Sequence, residues 1–344
     1  MLFGPRTRNA AVCVCLLLVA CLYHPSACRA ADMEITPFRT INQRPLVQIF
    51  GLPAESSAAV LTAGRSGFSL TQDVASEYTA RQTQNEWIVL DGESYRWSLS
   101  ARYGIGDRFE AGIVIPYVMY SGGFLDGFIV DWHNAFNLPQ GGRDSAPKNR
   151  LNYSYSKDGI QKLDMNHADS GIGDIALNSG MKLYEASDAS FHDNAALRAS
   201  LKLPSGASGS LRGSGSTDLA LYLCGSMNNF TEWGSLGVFG SAGGMVMTRG
   251  DVLPDQQNNL VGFGTLGLGW GPAEWISFKL QLNGHTAFYR NSSLTELSTN
   301  SLMLVMGGAL KLPGDCLLDI GVSEDVAVAT APDVALHLGL SRRF

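Results

Sequence analysis

One ten-residue stretch decides the fold class: it runs Ser94, Tyr95, Arg96, Trp97, Ser98, Leu99, Ser100, Ala101, Arg102, Tyr103. Every second residue is apolar or aromatic, and the residues between them are serine or arginine. Side chains alternate between the two faces of a β-strand. The stretch therefore predicts a strand with one apolar face and one polar, charged face.

The same alternation recurs along the chain, most clearly in residues 195–204, 276–288 and 333–344. Most of these segments are near the length of about 9–11 residues that a tilted membrane-spanning strand needs. We place twelve strands at about 66–80, 94–104, 109–121, 171–183, 195–204, 217–227, 235–247, 259–270, 275–289, 301–312, 316–324 and 333–344.

Composition distinguishes a membrane barrel from a soluble sandwich. Only 16% of the 344 residues are charged, whereas soluble proteins average about 25%. The arginines and lysines fall on the polar face of the strands, as in a barrel with lipid outside and water inside. The sequence predicts an all-β fold, a single transmembrane antiparallel β-barrel of about 12 strands, with a long external loop that carries a short helix.

The N-terminus has the three-part layout of a signal peptide over residues 1–30. Arg6 and Arg8 precede an apolar stretch at 12–22, and small residues lead to a cleavage site near Ala30. A lipobox ending at Cys21 is the alternative. Either layout predicts export, and the barrel pattern predicts the outer membrane as the location. Residues 31–64 read as an extension that lies in the periplasm or inserts into the lumen, and residues 65–344 as the barrel.

The two ends of the barrel are predicted to differ. Residues 104–108, 271–274 and 313–315 are tight turns, while residues 122–170 form the longest connection. Outer-membrane barrels have short periplasmic turns and long external loops. Trp270 and Trp275 flank one tight turn, as an interfacial girdle requires, and we expect outer-membrane lipid around the barrel. Phe344 ends the last amphipathic strand, which resembles the signal that the barrel-assembly machinery reads.

A set of charged and imidazole side chains on the polar face is predicted to line the lumen. Two roles stay open for this set: charges of both signs pair and fill the interior, or an excess of cations lines a path for anionic or polar solutes. The residues are Arg96, Arg102, Glu110, Asp174, Lys182, Arg198, Lys202, Asp218, Lys279, His285, Lys311, Asp319, His337 and Arg343.

The long loop carries a second candidate. Leu125, Ile129, Trp132 and Phe136 recur at helical spacing and predict a short amphipathic helix. The helix is either a lid on the barrel rim or an entry site for a hydrophobic ligand. We expect this helix to close the external mouth and limit flux, with the N-terminal extension as the alternative gate.

Signatures of other chemistry are weak. Cys224 and Cys316 are two unrelated thiols or, alternatively, a disulfide. No metal site, cofactor or catalytic residue is predicted, although His285 or His337 with Asp319 and Ser323 leaves a lipid-modifying enzyme as the third hypothesis. The net charge of −6 and the lack of a Lys/Arg block argue against a nucleic-acid partner.

Several local motifs carry a family resemblance. Gly122 to Asp126, Gly171 to Asp174, Lys202 to Gly206 and Thr330 to Val334 are similar to those of Gram-negative outer-membrane β-barrels known only as a domain of unknown function. More distantly, the chain resembles outer-membrane transporter barrels of aromatic-degradation pathways. The resemblance implies an outer-membrane location and a solute path. We therefore expect a passive channel or transporter for an unknown small solute, hydrophobic or anionic, with a structural or assembly barrel as the alternative.

Overall fold

The computed structural model describes residues 33–136, 142, 146–327 and 330–344, and it is dominated by long antiparallel strands. The strands are β1 Ser66–Gln82, β2 Glu86–Ile105, β3 Phe109–Ser121, β4 Asn152–Lys157, β5 Ile160–Met165, β6 Asp169–Ile172, β7 Ala176–Ser187, β8 Phe191–Lys202, β9 Asp218–Thr231, β10 Gly234–Met247, β11 Leu260–Ala273, β12 Ile276–His285, β13 Ser301–Leu312, β14 Cys316–Ala327 and β15 Val334–Arg343. The helices are α1 Leu125–Phe136, α2 Thr295–Ser298 and a 3₁₀ turn at Ser208–Ser210.

The sheet closes on itself. β1 pairs with β2 on one side and with β15 on the other, from Gly67 opposite Arg343 to Ser76 opposite Val334. β6 and β7 both pair with β3 and act as one interrupted strand. The described residues thus form a closed antiparallel barrel of twelve strands, with β6 and β7 counted as one and the β4–β5 hairpin left out. The predicted fold class and strand count are confirmed.

The two ends of the barrel differ in their connections. At one end, here the short-turn end, residues 106–108, 232–233 and 274–275 join neighbouring strands. The opposite end, here the loop end, carries the connection from β3 to β6, with α1 and the β4–β5 hairpin. That hairpin pairs with Glu86–Asp91 of β2 and raises the wall above the neighbouring strands. No helix in the described part of the chain is both long and apolar enough to cross a bilayer.

The strands present two faces, as the alternation predicts. On β9, Leu219, Leu221 and Leu223 point outward and are about half exposed, while Asp218 and Ala220 point inward and are buried. The short-turn end carries a ring of exposed aromatic side chains on the outer surface. This ring includes Tyr103, Phe109, Trp233, Trp270, Trp275, Phe278 and Phe344.

Several strands differ from their predicted bounds, and for three of them the structure shows the reason. β2 begins at Glu86 rather than about residue 94, because the β4–β5 hairpin supplies it with a partner. The segment predicted at 171–183 breaks after Ile172, and Asp174 in the break binds Lys202 inside the barrel. β12 ends at His285 rather than about residue 289. Phe288 and Tyr289, which follow it, pack against residues 46–50 inside the barrel.

Residues 33–61 lie inside the barrel and are here called the plug. The ascending limb, residues 33–43, runs from the short-turn end toward the loop end. The apex, residues 44–50, turns the chain near the loop end with hydrogen bonds such as Val47 N to Arg44 O at 2.9 Å. The descending limb, residues 51–61, returns to the short-turn end, where β1 begins. Of the two positions left open for the N-terminal extension, the structure shows the one in the lumen.

Candidate functional site: the plugged lumen

The ascending limb is held by wall side chains that bond to its main chain. The Ile35 amide donates to Asn228 Oδ1 at 2.8 Å. The Phe38 amide donates to Gln281 Oε1 at 2.8 Å, and the Phe38 carbonyl accepts from Gln281 Nε2 at 3.1 Å. An extended segment with no strand partner needs such bonds, because an unpaired buried backbone group is costly. The wall thus replaces the neighbour strand that the plug lacks.

Side-chain contacts continue the attachment toward the loop end. Thr40 Oγ1 donates to Asp73 Oδ1 at 2.7 Å, and His337 Nδ1 lies 2.8 Å from the same oxygen. Asn42 Nδ2 lies 3.0 Å from His285 Nε2 and donates to the carbonyl of Thr330 at 2.8 Å. These groups tie the ascending limb to strands on opposite sides of the closing seam.

The apex is apolar and seals the loop end. Leu46, Val47, Ile49 and Phe50 are buried in one hydrophobic cluster with residues of the wall and loops. Phe50 stacks on Phe288 at 4.8 Å between ring centroids. Burying four such side chains is worth about 6–12 kcal/mol before the cost of ordering the chain.

Two polar contacts fix the apex in this cluster. Arg44 pairs with Glu77 at 3.3 Å, and both side chains are almost fully buried. Tyr289 Oη donates to the Leu46 carbonyl at 2.9 Å. The apex is therefore held both by apolar packing and by a buried ion pair.

The descending limb contacts two clusters of paired charges. The Gly51 amide donates to Asp218 Oδ2 at 2.7 Å, and Lys202 bridges Asp218 and Asp174 at 3.2 and 2.5 Å. Lys202 also donates to the Ile49 carbonyl at 3.4 Å. This first cluster lies near the loop end.

The second cluster is centred on Glu110, near the short-turn end. Its carboxylate accepts from Arg198 at 2.6 Å, from Arg102 at 2.9 Å and from the Leu61 amide at 2.8 Å. Arg198 also donates to the Ser57 carbonyl at 2.7 Å. One carboxylate therefore organises two guanidinium groups and the end of the plug.

Glu55 is a buried carboxyl on the plug itself and lies outside the spanning strands. It accepts a hydrogen bond from Ser241 Oγ. Burial raises the pKa of the Glu55 carboxyl above its ordinary value, and the hydrogen bond from Ser241 opposes that shift. The descending limb thus brings into the interior an acid that, among the described residues, has no cation within ion-pair distance.

The fourteen residues predicted for the lumen fall into four groups. Glu110, Arg102 and Arg198 form one cluster, and Asp174, Lys202 and Asp218 form another. Arg96, Lys279, Asp319, His285 and His337 face the interior: Lys279 pairs with Asp319, Arg96 donates to the Gln48 carbonyl at 3.4 Å, and the two histidines contact Asn42 and Asp73. Lys182, Lys311 and Arg343 lie toward the short-turn end and pair with Glu185, Asp315 and Glu34.

Several wall residues that hold the plug were missing from the predicted set. Asp73 and Glu77 lie on the polar face of β1, and Asn228 and Gln281 lie on that of β9 and β12. The signal was present, because each shares its strand parity with other inward polar residues. Asn228 and Gln281 carry no charge, so a pattern of charged residues does not distinguish them.

The helix of the long loop begins beside Glu93 of β2. The amides of Phe124 and Leu125 donate to Glu93 Oε1 at 2.8 and 2.5 Å, and Glu93 is paired with Ser76 and Ser121 on the outward face. Glu93 and Ser76 are nevertheless almost fully buried. The helix therefore begins against the outer wall of β1 and β2, and its role in closing the mouth stays a prediction.

Only part of the predicted apolar stripe of α1 can be placed. Ile129 is buried and Leu125 is half-buried. The side chains of Trp132 and Phe136 lie outside the described residues, as do the predicted signal peptide and Cys21. Among the described residues, the apex of the plug packs across the loop end of the lumen.

The residues considered for catalysis are used structurally. Within the described residues, no serine hydroxyl hydrogen-bonds to His285 or His337, whose contacts are Asn42, the Thr286 carbonyl and Asp73. Cys224 and Cys316 are both buried and are not bonded to each other, so the alternative of a disulfide between them is wrong.

Solved structures with similar folds include an outer-membrane channel. The COG4313 outer membrane channel from Pseudomonas putida F1 aligns with a TM-score of 0.52 at 13% identity, covering 84% of this chain and 99% of that one. The translocator domain of the autotransporter NalP from Neisseria meningitidis aligns with a TM-score of 0.38 at 11% identity, covering 83% and 90%. The Ralstonia pickettii toluene transporter TbuX aligns with a TM-score of 0.34 at 12% identity, also covering 83% and 90%.

The first of these likenesses shows a shared barrel fold. Because its sequence identity is low, it shows the fold alone. No curated protein matches the chain significantly. The model of one family, described as protein of unknown function (DUF3187), matches residues 12–344, almost the whole length. The chain therefore belongs to the DUF3187 family.

Proposed function

We propose that this protein is an outer-membrane channel for small solutes, and that the plug is its gate. In this arrangement the short-turn end faces the periplasm and the loop end faces outward, as in other outer-membrane barrels. The apolar outward face and the ring of exposed aromatic side chains at the short-turn end support a membrane location. The apex then closes the external mouth.

The observation that carries the proposal is the chemistry of the contact between the limbs and the wall. Below the apex, wall side chains bond to the main chain of the plug: Lys279 donates to the Thr36 carbonyl at 3.0 Å, and Arg198 donates to the Ser57 carbonyl at 2.7 Å. Each such bond has a charged donor and contributes about 1.5–3 kcal/mol net, because water replaces it when it breaks. The limbs can therefore exchange wall contacts for water.

The barrel itself does not depend on the plug for closure. The β1–β15 ladder joins ten residue pairs from Gly67–Arg343 to Ser76–Val334 without a plug residue. A twelve-strand barrel lies between eight-strand barrels, which side chains fill, and sixteen-strand porins, which hold an aqueous channel. Withdrawal of the plug would leave a narrow bore lined by polar side chains, which favours a polar or charged solute.

Single-channel recording in planar bilayers tests this proposal. We expect full-length protein to show rare, small openings, and a variant that lacks residues 33–61 to show frequent, larger conductance steps. Heat-modifiable migration on gels serves as the control that the deletion variant is a folded barrel. A folded but silent deletion variant would overturn the channel and favour a structural or assembly barrel.

A further inference from the structure

The lumen contains two adjoining cavities beside the plug. The inner one has a volume of about 90 Å³ and lies between the plug and strands on both sides of β1. The second has a volume of about 400 Å³ and opens toward the short-turn end, beside β14 and β15. Arg39, Ser69 and Arg102 line both. The two cavities therefore adjoin, and the inner one, below the apex, is here called the inner chamber.

We propose that the inner chamber is a binding site for a small oxyanion, held by Arg39 and Arg96. This inference rests on the proposed function, because it makes the chamber part of the solute path. It adds a ligand class and two residues that recognise it.

The two arginines are the free cations of the chamber. Among the described residues, neither guanidinium has a carboxylate within 4.0 Å, whereas Arg102, Arg198 and Lys202 are all paired. Arg39 donates to Ser100 Oγ at 3.1 Å, and Arg96 makes one long bond of 3.4 Å to the Gln48 carbonyl. Both side chains are half-buried and border the chamber. Most of their N–H groups therefore remain free to bind a ligand.

The carboxylates in the chamber wall are already engaged. Asp73 binds Thr40 at 2.7 Å and His337 at 2.8 Å. Asp174 binds Lys202 at 2.5 Å and accepts from the amides of Gly206 and Ser214 at 2.8 and 3.2 Å. They offer little capacity to neutralise Arg39 and Arg96, so the chamber keeps an excess of positive charge.

Uncharged groups add unused hydrogen-bonding capacity. The side-chain amide of Gln43 and the hydroxyl of Ser69 are buried, line the chamber and have no hydrogen-bond partner among the described residues. A buried donor without a partner costs about 1–3 kcal/mol. An oxyanion accepts several hydrogen bonds at once and satisfies this set better than an apolar or cationic solute.

Guanidinium groups suit this ligand class. Arginine presents N–H donors in a planar fork that matches two oxygens of a carboxylate or phosphate. Two such forks border one chamber, one on the plug and one on the barrel wall, and would bind a single anion between them. The bound anion would therefore also hold the plug.

Isothermal titration calorimetry of the detergent-solubilised full-length protein tests the site, in a buffer free of oxyanions. Inorganic phosphate and acetate are the two probes, since they separate a tetrahedral oxyanion from a carboxylate. We expect saturable binding of at least one probe. Arg39→Gln and Arg96→Gln should each weaken it at least tenfold, and Arg96→Lys should restore part of the loss, because it returns the charge without the fork.

Arg249→Gln is the matched control, since Arg249 is an exposed arginine that pairs with Asp255 and lines neither cavity. It should bind as the wild type does. Absence of binding with both probes, or equal affinity in the Arg39 and Arg96 variants, would overturn the oxyanion site. That result leaves conductance of the deletion variant unaffected, so failure of the site and failure of the channel are distinguishable.

Discussion

Glu110 is the residue on which the charge balance near the short-turn end depends. It is buried and serves Arg102, Arg198 and the Leu61 amide at once. Removing one partner of a buried ion pair strands the other charge and costs about 3–5 kcal/mol. We expect Glu110→Gln to lower the midpoint of heat-modifiable unfolding clearly, as measured by gel shift across a temperature series.

Glu185→Gln is the control for this prediction. Glu185 pairs with Lys182 at a half-exposed site on the same barrel, where such a pair contributes about 0–1 kcal/mol. Its midpoint should hardly move. Equal midpoints for Glu110→Gln and the wild type would contradict the role assigned to Glu110.

Gly237 makes room for the plug. A Cβ added there would overlap the side chain of Ile35 and come within 2.7 Å of Asn228 Oδ1, which accepts from the Ile35 amide. Gly244 on the same strand faces outward, and its added Cβ would meet nothing closer than 3.8 Å.

We expect Gly237→Ala to displace the start of the ascending limb, and Gly244→Ala to leave it in place. Hydrogen exchange followed by mass spectrometry over residues 33–38 measures this directly. Exchange should accelerate in the first variant only. Unchanged protection in Gly237→Ala would mean that Ile35 does not occupy the space beside Gly237.

At the scale of elements, the helix and the plug show what periodicity predicts and what it leaves open. The spacing of Leu125 and Ile129 predicted α1, and the helix is there. Periodicity identifies an apolar face but not the surface that covers it. The signal for such a surface is Glu93 on the outward face of β2, because an acid between lipid-facing side chains needs hydrogen-bond donors. It accepts from Tyr95 Oη and from the amides of Phe124 and Leu125.

Glu93→Gln tests where the helix acts. The substitution weakens the anchor of the first α1 amides, so exchange at Phe124 and Leu125 should accelerate. Because α1 begins on the outer wall, single-channel conductance should stay at the wild-type level. Larger or more frequent openings in Glu93→Gln would return the gate to the helix.

At the scale of the whole molecule, alternation together with the low content of charged residues predicts the barrel, because strands with one polar and one apolar face can close around a polar lumen. Eleven of the twelve described barrel strands are continuous, and the interrupted strand β6–β7 corresponds to one predicted segment at 171–183. The plug could not be predicted in the same way. Its extended limbs have no period, and their partners Asn228, Gln281 and Asp73 depend on strand register.

A reversible disulfide crosslink between the plug and the wall tests whether the plug gates the barrel. A Cβ at Gly51 would lie 2.9 Å from the Asp218 Cβ, a small shift from the roughly 3.5–4.5 Å of a disulfide. The variant Gly51→Cys with Asp218→Cys, in a background with Cys224 and Cys316 changed to alanine, should be recorded in one bilayer before and after reduction, with Asp218→Cys alone as control. We expect the oxidised double-cysteine variant to show no conductance, and the reduced variant to show conductance steps. Equal conductance in both states, with the crosslink verified, would contradict gating by the plug.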